Sequence, residues 1–445
     1  MNNKTLANSI FEKGSKLFDK MEVYIVSGTD TSINIYNQEI DSYSIAEAGG
    51  ISLRGILDGK VGYAYSEQVS EESIDFLINS ALDSAKTVTT EDLELFYDGK
   101  ELPNVNKFES DLANIDVKKK IALVTELESK TRQLSDLIVN TSSCMYQDTV
   151  SNRYIANTEG LEVESQSAFG IVYIGVIAKN GDVMHDGMAY TTFYNFDEVN
   201  IDTIAKEAVD NTLSKFNPTS VKSDKYTVIL KNDAVSDLFA SMESVFSAEL
   251  VQKKLSLLEG KIGELIGSDK LNLINDPLYP KSIVNAPFDA EGVPTKKYHI
   301  VENGVLKTYM HNLKTAAKMG VETTGNASRS YKSGMGVSGQ SLVIEPGDLD
   351  FEQLTEHVGN GIVIEDIQGL HSGLNPISGD FSLPAQGYLI EDGKVTRAVN
   401  QITIADNFFD FIKKIEVIGN DVKISLNGTI APSIIFTDIS ISGNL

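Results

Sequence analysis

Short segments of alternating polarity constrain the fold of the N-terminal part of this chain more than any other feature. Such segments cover residues 22–26, 32–36, 42–46, 51–57 and 61–65. Alternation with a period of two places the apolar side chains on one face of a strand, and Asp-Gly or Gly-Gly pairs favour tight turns. Gly49-Gly50 and Asp58-Gly59 are therefore predicted turns, and the whole segment is predicted to be an antiparallel meander.

Helices are predicted where apolar residues recur every three or four positions. The predicted helices cover residues 4–19, a segment from about Glu71, residues 117–127 and residues 201–213. Residues 91–116 are a predicted surface connection, and residues 137–183 are predicted strands with a turn at 157–160. The helices are expected to cover the sheet.

A polar stretch after Pro218 separates two predicted domains, residues 1–220 and residues 221–445. The second half opens with a predicted strand at 226–230 and a helix capped by Asn232 or Asp233. Further strands, a hairpin turn at Asn303-Gly304 and a helix at 351–358 follow. The predicted fold class is α+β, with an N-terminal α/β domain of antiparallel sheet and covering helices, and a mainly antiparallel C-terminal β domain with a few helices.

Charge and cysteine content exclude several classes of function. The chain has 38 Lys and Arg against 63 Asp and Glu, a formal charge of −25, which opposes nucleic acid and anionic membranes as direct partners. Cys144 is the only cysteine, so no intrachain disulfide and no cysteine metal cluster is possible. The first twenty residues lack the apolar core of a signal peptide. We therefore expect a cytoplasmic protein without a membrane span.

The stretch from His371 to Gly393 is dense in turn-forming residues and is predicted to be a polar loop held on a sheet. Residues 388–390 form a short apolar run that Asp392-Gly393 closes as a hairpin. His371, Ser372, Ser378 and Asp380 could supply a nucleophile and a base. The G-x-S-x-G elbow of serine hydrolases is absent, and bonding of Ser378 and Asp380 to their own turn is the favoured interpretation.

Two other segments carry candidate site residues. Asp289 and Glu291 lie two positions apart before Gly292, a spacing that suits an acid/base pair or a site for a hard cation. The favoured interpretation is a turn whose carboxylates bond to backbone amides or to a nearby Arg. Gly325 to Arg329 is a polar loop with one cation, suited to a peptide carboxylate or an internal Asp. No two of the five histidines are three or four positions apart, which excludes the helical H-E-x-x-H zinc motif.

Five segments taken together resemble the TldD/PmbA family, once called modulators of DNA gyrase. They are FDAEGVPT at 288–295, HIVENGVLKTYMHN at 299–312, TGNASR at 324–329, HSGLNPISGDFS at 371–382 and QITIADN at 401–407. The resemblance implies a cytosolic two-domain α+β protein with a peptide cleft in its C-terminal domain. It also implies a dimer that acts in metal-dependent proteolysis of unfolded peptides.

The chain departs from the catalytic branch of that family at the metal site. TldD-type chains carry H-E-x-x-x-H on the helix before a G-x-x-G-E-L segment, which is 260–265 here, and a later cysteine. Counting back places Phe239, Ala240 and Ser244 at the positions of His, Glu and His, and Cys144 lies in the other domain. The chain is thus similar to the PmbA (TldE) branch, which implies no cofactor in this chain and zinc in a TldD-like partner.

Three functional hypotheses follow from the resemblance and the residues. The leading one is a non-catalytic, peptide-gripping subunit that pairs with a TldD-like zinc protease as a heterodimer. The alternatives are an autonomous homodimeric metallopeptidase, with Asp289, Glu291, His371 and Asp380 as ligands, and a non-catalytic, homodimeric peptide-binding scaffold. No catalytic residue is assigned in the leading hypothesis. The candidates for the peptide cleft are Asp289, Glu291, Asn326, Arg329, His371, Asn375 and Asp380.

Overall fold

The structure, a computed structural model, describes residues 2–89, 93–104 and 109–445. Helices and strands form one antiparallel sheet in the N-terminal half and two mixed sheets in the C-terminal half, which confirms the α+β fold class. Of the connection predicted over residues 91–116, residues 91, 92 and 105–108 lie outside the described residues. No helix among the described ranges is both long enough and apolar enough to span a bilayer.

The N-terminal sheet has six strands in the order β3-β2-β1-β4-β5-β6, all paired antiparallel. Its strands are β1 (Lys20–Tyr36), β2 (Glu39–Leu57), β3 (Lys60–Ser66), β4 (Ile138–Asn157), β5 (Glu162–Asn180) and β6 (Val183–Phe193). Its helices are α1 (Asn3–Gly14), α2 (Ile74–Thr87), α3 (Val117–Gln133) and α4 (Ile201–Leu213). The helices pack on the sheet through two apolar clusters, so the predicted arrangement of covering helices is confirmed.

The predicted turn at Gly49-Gly50 is wrong. Both glycines lie inside β2. The short strands predicted between residues 22 and 57 are parts of two long strands, β1 and β2. A side chain at Gly49 would have its Cβ 2.5 Å from the carbonyl oxygen of Val26, so glycine is needed there for close strand packing. The turn instead lies at Asn37 and Gln38, whose φ angles are 52° and 64°.

The C-terminal half contains two six-stranded sheets and one strand pair. Its strands are β7 (Asp224–Leu230), β8 (Leu273–Asn275), β9 (Tyr298–Glu302), β10 (Val305–Leu306), β11 (Ala327–Ser328), β12 (Gly336–Val337), β13 (Leu342–Ile344), β14 (Gly361–Ile367), β15 (Asp380–Glu391), β16 (Lys394–Asn407), β17 (Ile415–Ile418), β18 (Lys423–Ile424), β19 (Ile430–Ala431) and β20 (Ile434–Ser442). Its helices are α5 (Asn232–Met242), α6 (Ala248–Gln252), α7 (Leu313–Met319), α8 (Phe351–Val358), α9 (Leu370–Gly373) and α10 (Phe408–Phe411).

One C-terminal sheet has the order β16-β15-β14-β7-β20-β17, and β16 also pairs with β20, which closes the sheet on itself. The other has the order β10-β9-β8-β13-β19-β18. Most pairings are antiparallel, as predicted, but β7–β14 and β13–β19 are parallel. A shared apolar core lies between these sheets and contains the buried face of α5.

The stretch from His371 to Gly393 is more regular than predicted. A short helix and a turn occupy residues 370–379, but Asp380 already begins β15, so the loop is shorter than the turn-forming residues suggest. Pro384 lies within β15, where the carbonyl oxygen of Pro384 accepts a hydrogen bond from the amide of Gln368. The hairpin predicted at Asp392-Gly393 is confirmed, because it joins β15 to β16.

Candidate functional site

The positions at which the resemblance places zinc ligands lie at the end of α5. Phe239 is buried in the core, where its ring meets that of Phe408 edge to face at 5.4 Å between centroids. The α-helix ends at Met242, and a 3-10 turn carries Ser244 to an exposed position. A phenyl ring, a methyl group and one exposed hydroxyl do not fit the nitrogen, sulfur and carboxylate ligands of a zinc site.

Cys144 does not supply a ligand to this region. It lies in β4, and its thiol contacts the carbonyl oxygen of Val124 on α3 at 3.3 Å. Burial raises the pKa of the Cys144 thiol to about 12, which keeps it protonated at neutral pH. Across the described ranges of the chain, no group of three or more His, Cys, Asp or Glu side chains is arranged to hold a metal ion.

Asp289 organises the loop that carries it. Its Oδ1 accepts hydrogen bonds from the amides of Glu291 at 2.8 Å and Val293 at 3.1 Å, and its Oδ2 accepts one from the amide of Ala327 at 2.9 Å. Gly292 completes the turn with a φ of 80°. Asp289 thus joins the 287–295 loop to β11 and is fully buried.

Glu291 lies beside Asp289 and is buried as well. Its Oε2 accepts a hydrogen bond at 2.8 Å from the amide of Leu313, the first residue of α7, where a carboxylate also suits the helix dipole. Burial raises the pKa of both carboxyl groups, and the charge of Asp289 raises that of Glu291 further. Of the three interpretations drawn from the sequence, the hydrogen bonds correspond to the turn in which the carboxylates bond to backbone amides.

Arg329 connects the two halves of the chain through a row of ion pairs. Its Nη2 lies 2.7 Å from Oε1 of Glu22 on β1, and that same oxygen lies 3.2 Å from Nη1 of Arg54 on β2. Arg54 also pairs with Glu94 at 2.8 Å, and Glu94 returns to the C-terminal half by pairing with Lys314 at 2.9 Å. The row alternates in sign, so each buried charge has an opposite neighbour.

Asn326 is held in the same region by hydrogen bonds on both sides of its amide. Its Oδ1 accepts from the hydroxyls of Tyr298 at 2.5 Å and Thr324 at 2.7 Å, and its Nδ2 donates to Oδ1 of Asn275 at 3.2 Å and to the carbonyl of Ser338 at 3.0 Å. Both polar side-chain atoms of Asn326 therefore have hydrogen-bond partners. Asn326 therefore braces the loop around Arg329.

His371, Asn375 and Asp380 lie elsewhere, and all three are exposed. His371 is in α9, Asn375 is in the turn that follows, and Asp380 is the first residue of β15. Oδ1 of Asn375 accepts from the amides of Ile377 and Ser378, while Asp380 accepts from the hydroxyl of Ser378 at 2.8 Å and from Nδ2 of Asn407 at 2.9 Å. These bonds within and beside the turn lower the pKa of Asp380. The structure thus does not bring Asp289, Glu291, His371 and Asp380 together as one ligand set.

A cavity of about 370 Å³ opens between the two halves, away from the row of ion pairs. The N-terminal half contributes Asp186, Glu207 and Lys215; the C-terminal half contributes Lys231, Asp233, Asp237, Glu365, Asp366 and Lys423. Burial, together with the charge of Asp233, raises the pKa of Asp237 to about 6. Since six carboxyl groups face three lysines, the lining favours a cationic or neutral ligand.

Sequence reasoning missed both the ion-pair partners and the cavity. Glu22 and Arg54 interrupt buried strand segments, which is a signal for paired charge because an unpaired charge is rarely buried. Asp233 and Asp237 are four residues apart and share a helix face. Only the fold could show that Glu22, Asp233 and Asp237 meet residues more than a hundred positions away.

Comparison with known proteins identifies the family of this chain. Three models of the PmbA/TldA metallopeptidase family match the chain: domain 1 at residues 21–85, the central domain at 110–216 and the C-terminal domain at 223–443.

Two curated relatives match along nearly their whole length. A metalloprotease of Methanocaldococcus jannaschii is 26% identical over 93% of each chain, and the metalloprotease PmbA of Escherichia coli O157:H7 is 25% identical over 94% of this chain and 92% of its own. The crystal structure of a proposed modulator of a DNA gyrase from Thermotoga maritima is 32% identical, with a TM-score of 0.92 over 99% of this chain and 100% of that one. This chain therefore belongs to the TldD/PmbA family of metallopeptidases.

Proposed function

We propose that this chain is a PmbA/TldE-type subunit of a TldD-type metalloprotease complex, and that it grips unfolded peptides without cleaving them. The observation that carries the proposal is the end of α5, where Phe239 packs into the core and Ser244 points to solvent. A catalytic zinc site needs three protein ligands and an open position for water. This chain offers a packed helix there, so the hydrolytic metal is assigned to a TldD-like partner.

The cavity between the halves supports the peptide-gripping part of the proposal. Its volume, about 370 Å³, accommodates a short piece of extended chain or a few side chains. Its carboxylates outnumber its lysines, and Asp237 has a raised pKa in a partly buried position. We expect soluble substrates with basic or neutral side chains, and backbone hydrogen bonding that tolerates varied sequence. We assign the complex to the cytoplasm.

Reconstitution tests whether peptide cleavage requires the metal-bearing partner. The purified chain, the H-E-x-x-x-H-bearing chain of the same organism, and their mixture are each incubated with an unstructured fluorogenic peptide containing several lysines. We expect cleavage that stops on chelation in the mixture, and none with this chain alone. Elemental analysis after dialysis should find no stoichiometric zinc in this chain. Chelator-sensitive hydrolysis by this chain alone would instead establish the autonomous metallopeptidase.

A matched pair of variants tests the cavity. Asp237→Asn removes a carboxylate from the lining, whereas Asp269→Asn removes an exposed carboxylate that does not line it. Anisotropy of the labelled lysine-rich peptide should show several-fold weaker binding for Asp237→Asn and unchanged binding for Asp269→Asn. Equal affinities for both variants and the unaltered chain would place the peptide elsewhere.

A further inference from the structure

Strand β2 has a long free edge in its first half. Within the described parts of the chain, residues 39–50 pair with β1 alone, because β3 pairs with β2 over residues 51–57. The free segment is twelve residues, or about 40 Å at the usual rise per residue of a strand. Every residue from 39 to 48 is exposed. An edge of this length offers a row of unpaired backbone groups to another strand.

Several side chains on this edge are apolar, although side chains on an exposed strand are normally polar. Tyr43 and Ile45 are 45% and 55% exposed, and Ile40 and Tyr36 beside them are similarly exposed. Their cross-strand neighbours on β1, Ile33 and Thr31, are buried. The apolar face of the sheet therefore extends onto β2, where it is exposed to solvent. An exposed apolar surface of this kind is typical of a binding site for another protein.

Charge determines which occupant suits the edge. Glu39, Asp41 and Glu47 lie along it, and no ion pair is described for any of them. In two of the possible registers, with the two-fold axis through Tyr43 or through Ser44, pairing of two copies would set Glu47 opposite Glu39 or opposite Asp41. Like charges directly opposite destabilise a strand pair, and two chains of charge −25 also repel each other. A second copy of this chain is therefore disfavoured, and a basic strand is favoured.

The edge ends at the interface between the two halves. A Cβ on Gly50 would lie 2.2 Å from the ring of Tyr331, in the loop that follows Arg329. The hydroxyl of Tyr63 on β3 bonds to the carbonyl of Tyr331, and Lys332 pairs with Glu67. A strand added along residues 39–50 would thus end against the C-terminal half, so its position would be fixed at that end.

We infer that residues 39–50 are the docking edge for a strand of a different, folded protein, with Lys or Arg facing Asp41 and Glu47 and apolar side chains facing Tyr43 and Ile45. The identity of that protein rests on the proposed function: it is the metal-bearing partner subunit. Strand addition through the edge would cover the exposed apolar residues and extend the N-terminal sheet across the complex.

The test uses the full chain co-expressed with the H-E-x-x-x-H-bearing chain of the same organism. Sedimentation should show this chain alone as a monomer and the pair as a heterodimer. Tyr43→Ser/Ile45→Ser and Asp41→Lys/Glu47→Lys should each weaken the complex at least tenfold. The matched controls Phe76→Ser, an exposed apolar residue on α2, and Glu259→Lys/Asp269→Lys should leave it unchanged. Deuterium exchange of residues 39–50 should slow in the complex.

The possible outcomes distinguish failure of the docking-edge inference from failure of the proposed function on which it rests. A heterodimer that survives both edge variants overturns the docking edge and leaves the proposed function intact. Absence of any heterodimer with the unaltered chains overturns both. If this chain forms a homodimer that Tyr43→Ser/Ile45→Ser dissociates, the occupant is a second copy. If the lysine-rich substrate peptide alone protects residues 39–50, the occupant is substrate. Either result overturns the inference.

Discussion

Arg329 and Glu22 are 307 positions apart in the chain, yet they form an ion pair of 2.7 Å whose side chains are 1% and 0% exposed. The guanidinium of Arg329 also lies over the ring of Tyr24, 4.4 Å from its centroid. One arginine thus joins the C-terminal half to β1 by charge and by ring stacking.

Arg329→Met should lower the free energy of unfolding by about 3–5 kcal/mol, because it leaves Glu22 buried without this partner. Urea denaturation followed by circular dichroism measures the change. Glu22→Gln in the same background should recover part of the loss, since it removes a buried charge that retains only Arg54 of its two partners. Lys332→Met, which breaks an exposed ion pair with Glu67, is the control and should leave the denaturation midpoint unchanged. Equal effects of Arg329→Met and Lys332→Met would contradict the assignment.

Glu291 makes stability depend on pH. Burial and the charge of Asp289 raise the pKa of Glu291 to about 8, so between about pH 4.5 and pH 8 the folded state holds a proton that the unfolded state has released. The free energy of unfolding should therefore fall as pH rises through this range, by up to about 1.4 kcal/mol per pH unit, and level off above it. Glu291→Gln should make this fall shallower and leave the part that comes from the raised pKa of Asp289. Stability that rises across the same range in the unaltered chain would be the contrary result.

The sequence predicts the regular elements of this fold well where the local signal is sufficient. The bounds of α4 and α8 are those predicted, and in the structure α8 begins with a reciprocal capping box of Asp350 and Gln353. The pair Gly49-Gly50 wrongly suggests a turn, because glycine occurs both in turns and where chain segments pack closely. There the absence of a side chain lets strands and the Tyr331 ring approach, and no turn is needed. The turn that exists uses Asn37 and Gln38, whose amides bond to the buried carboxylate of Glu128 on α3.

The candidate site was less predictable, because it is formed by contacts between segments that are distant in the sequence. Asp289, Glu291, Asn326 and Arg329 belong to one buried region, which the order of the motifs does not reveal. Their partners come from distant segments, as Glu22 and Lys314 illustrate. Whether any of the seven predicted cleft residues touches peptide stays a prediction. The packing of Phe239, by contrast, follows from the apolar spacing of α5 and is confirmed.

Phe239→Ala should destabilise the chain by about 3–5 kcal/mol, because it removes a ring from the closely packed core and leaves a cavity against Phe408. Thermal or urea unfolding gives the magnitude. Phe76→Ala, which truncates an exposed ring on α2, should change stability far less. A Phe239→Ala protein as stable as the original would mean that the end of α5 is not packed as described, and would remove the main support for assigning the metal to a partner.

Asp380→Ala should loosen the turn before β15 without unfolding the chain. The carboxylate accepts hydrogen bonds from Ser378 and Asn407 and is exposed, so its loss affects local contacts and leaves the core intact. Hydrogen–deuterium exchange should speed up for the amides of residues 377–380 and stay unchanged in β7 and β14, with an unchanged melting temperature. Asp410→Ala, which removes an exposed carboxylate paired with Lys413, should leave exchange at 377–380 unaffected. Uniformly faster exchange in Asp380→Ala would show instead that the turn supports the whole C-terminal half.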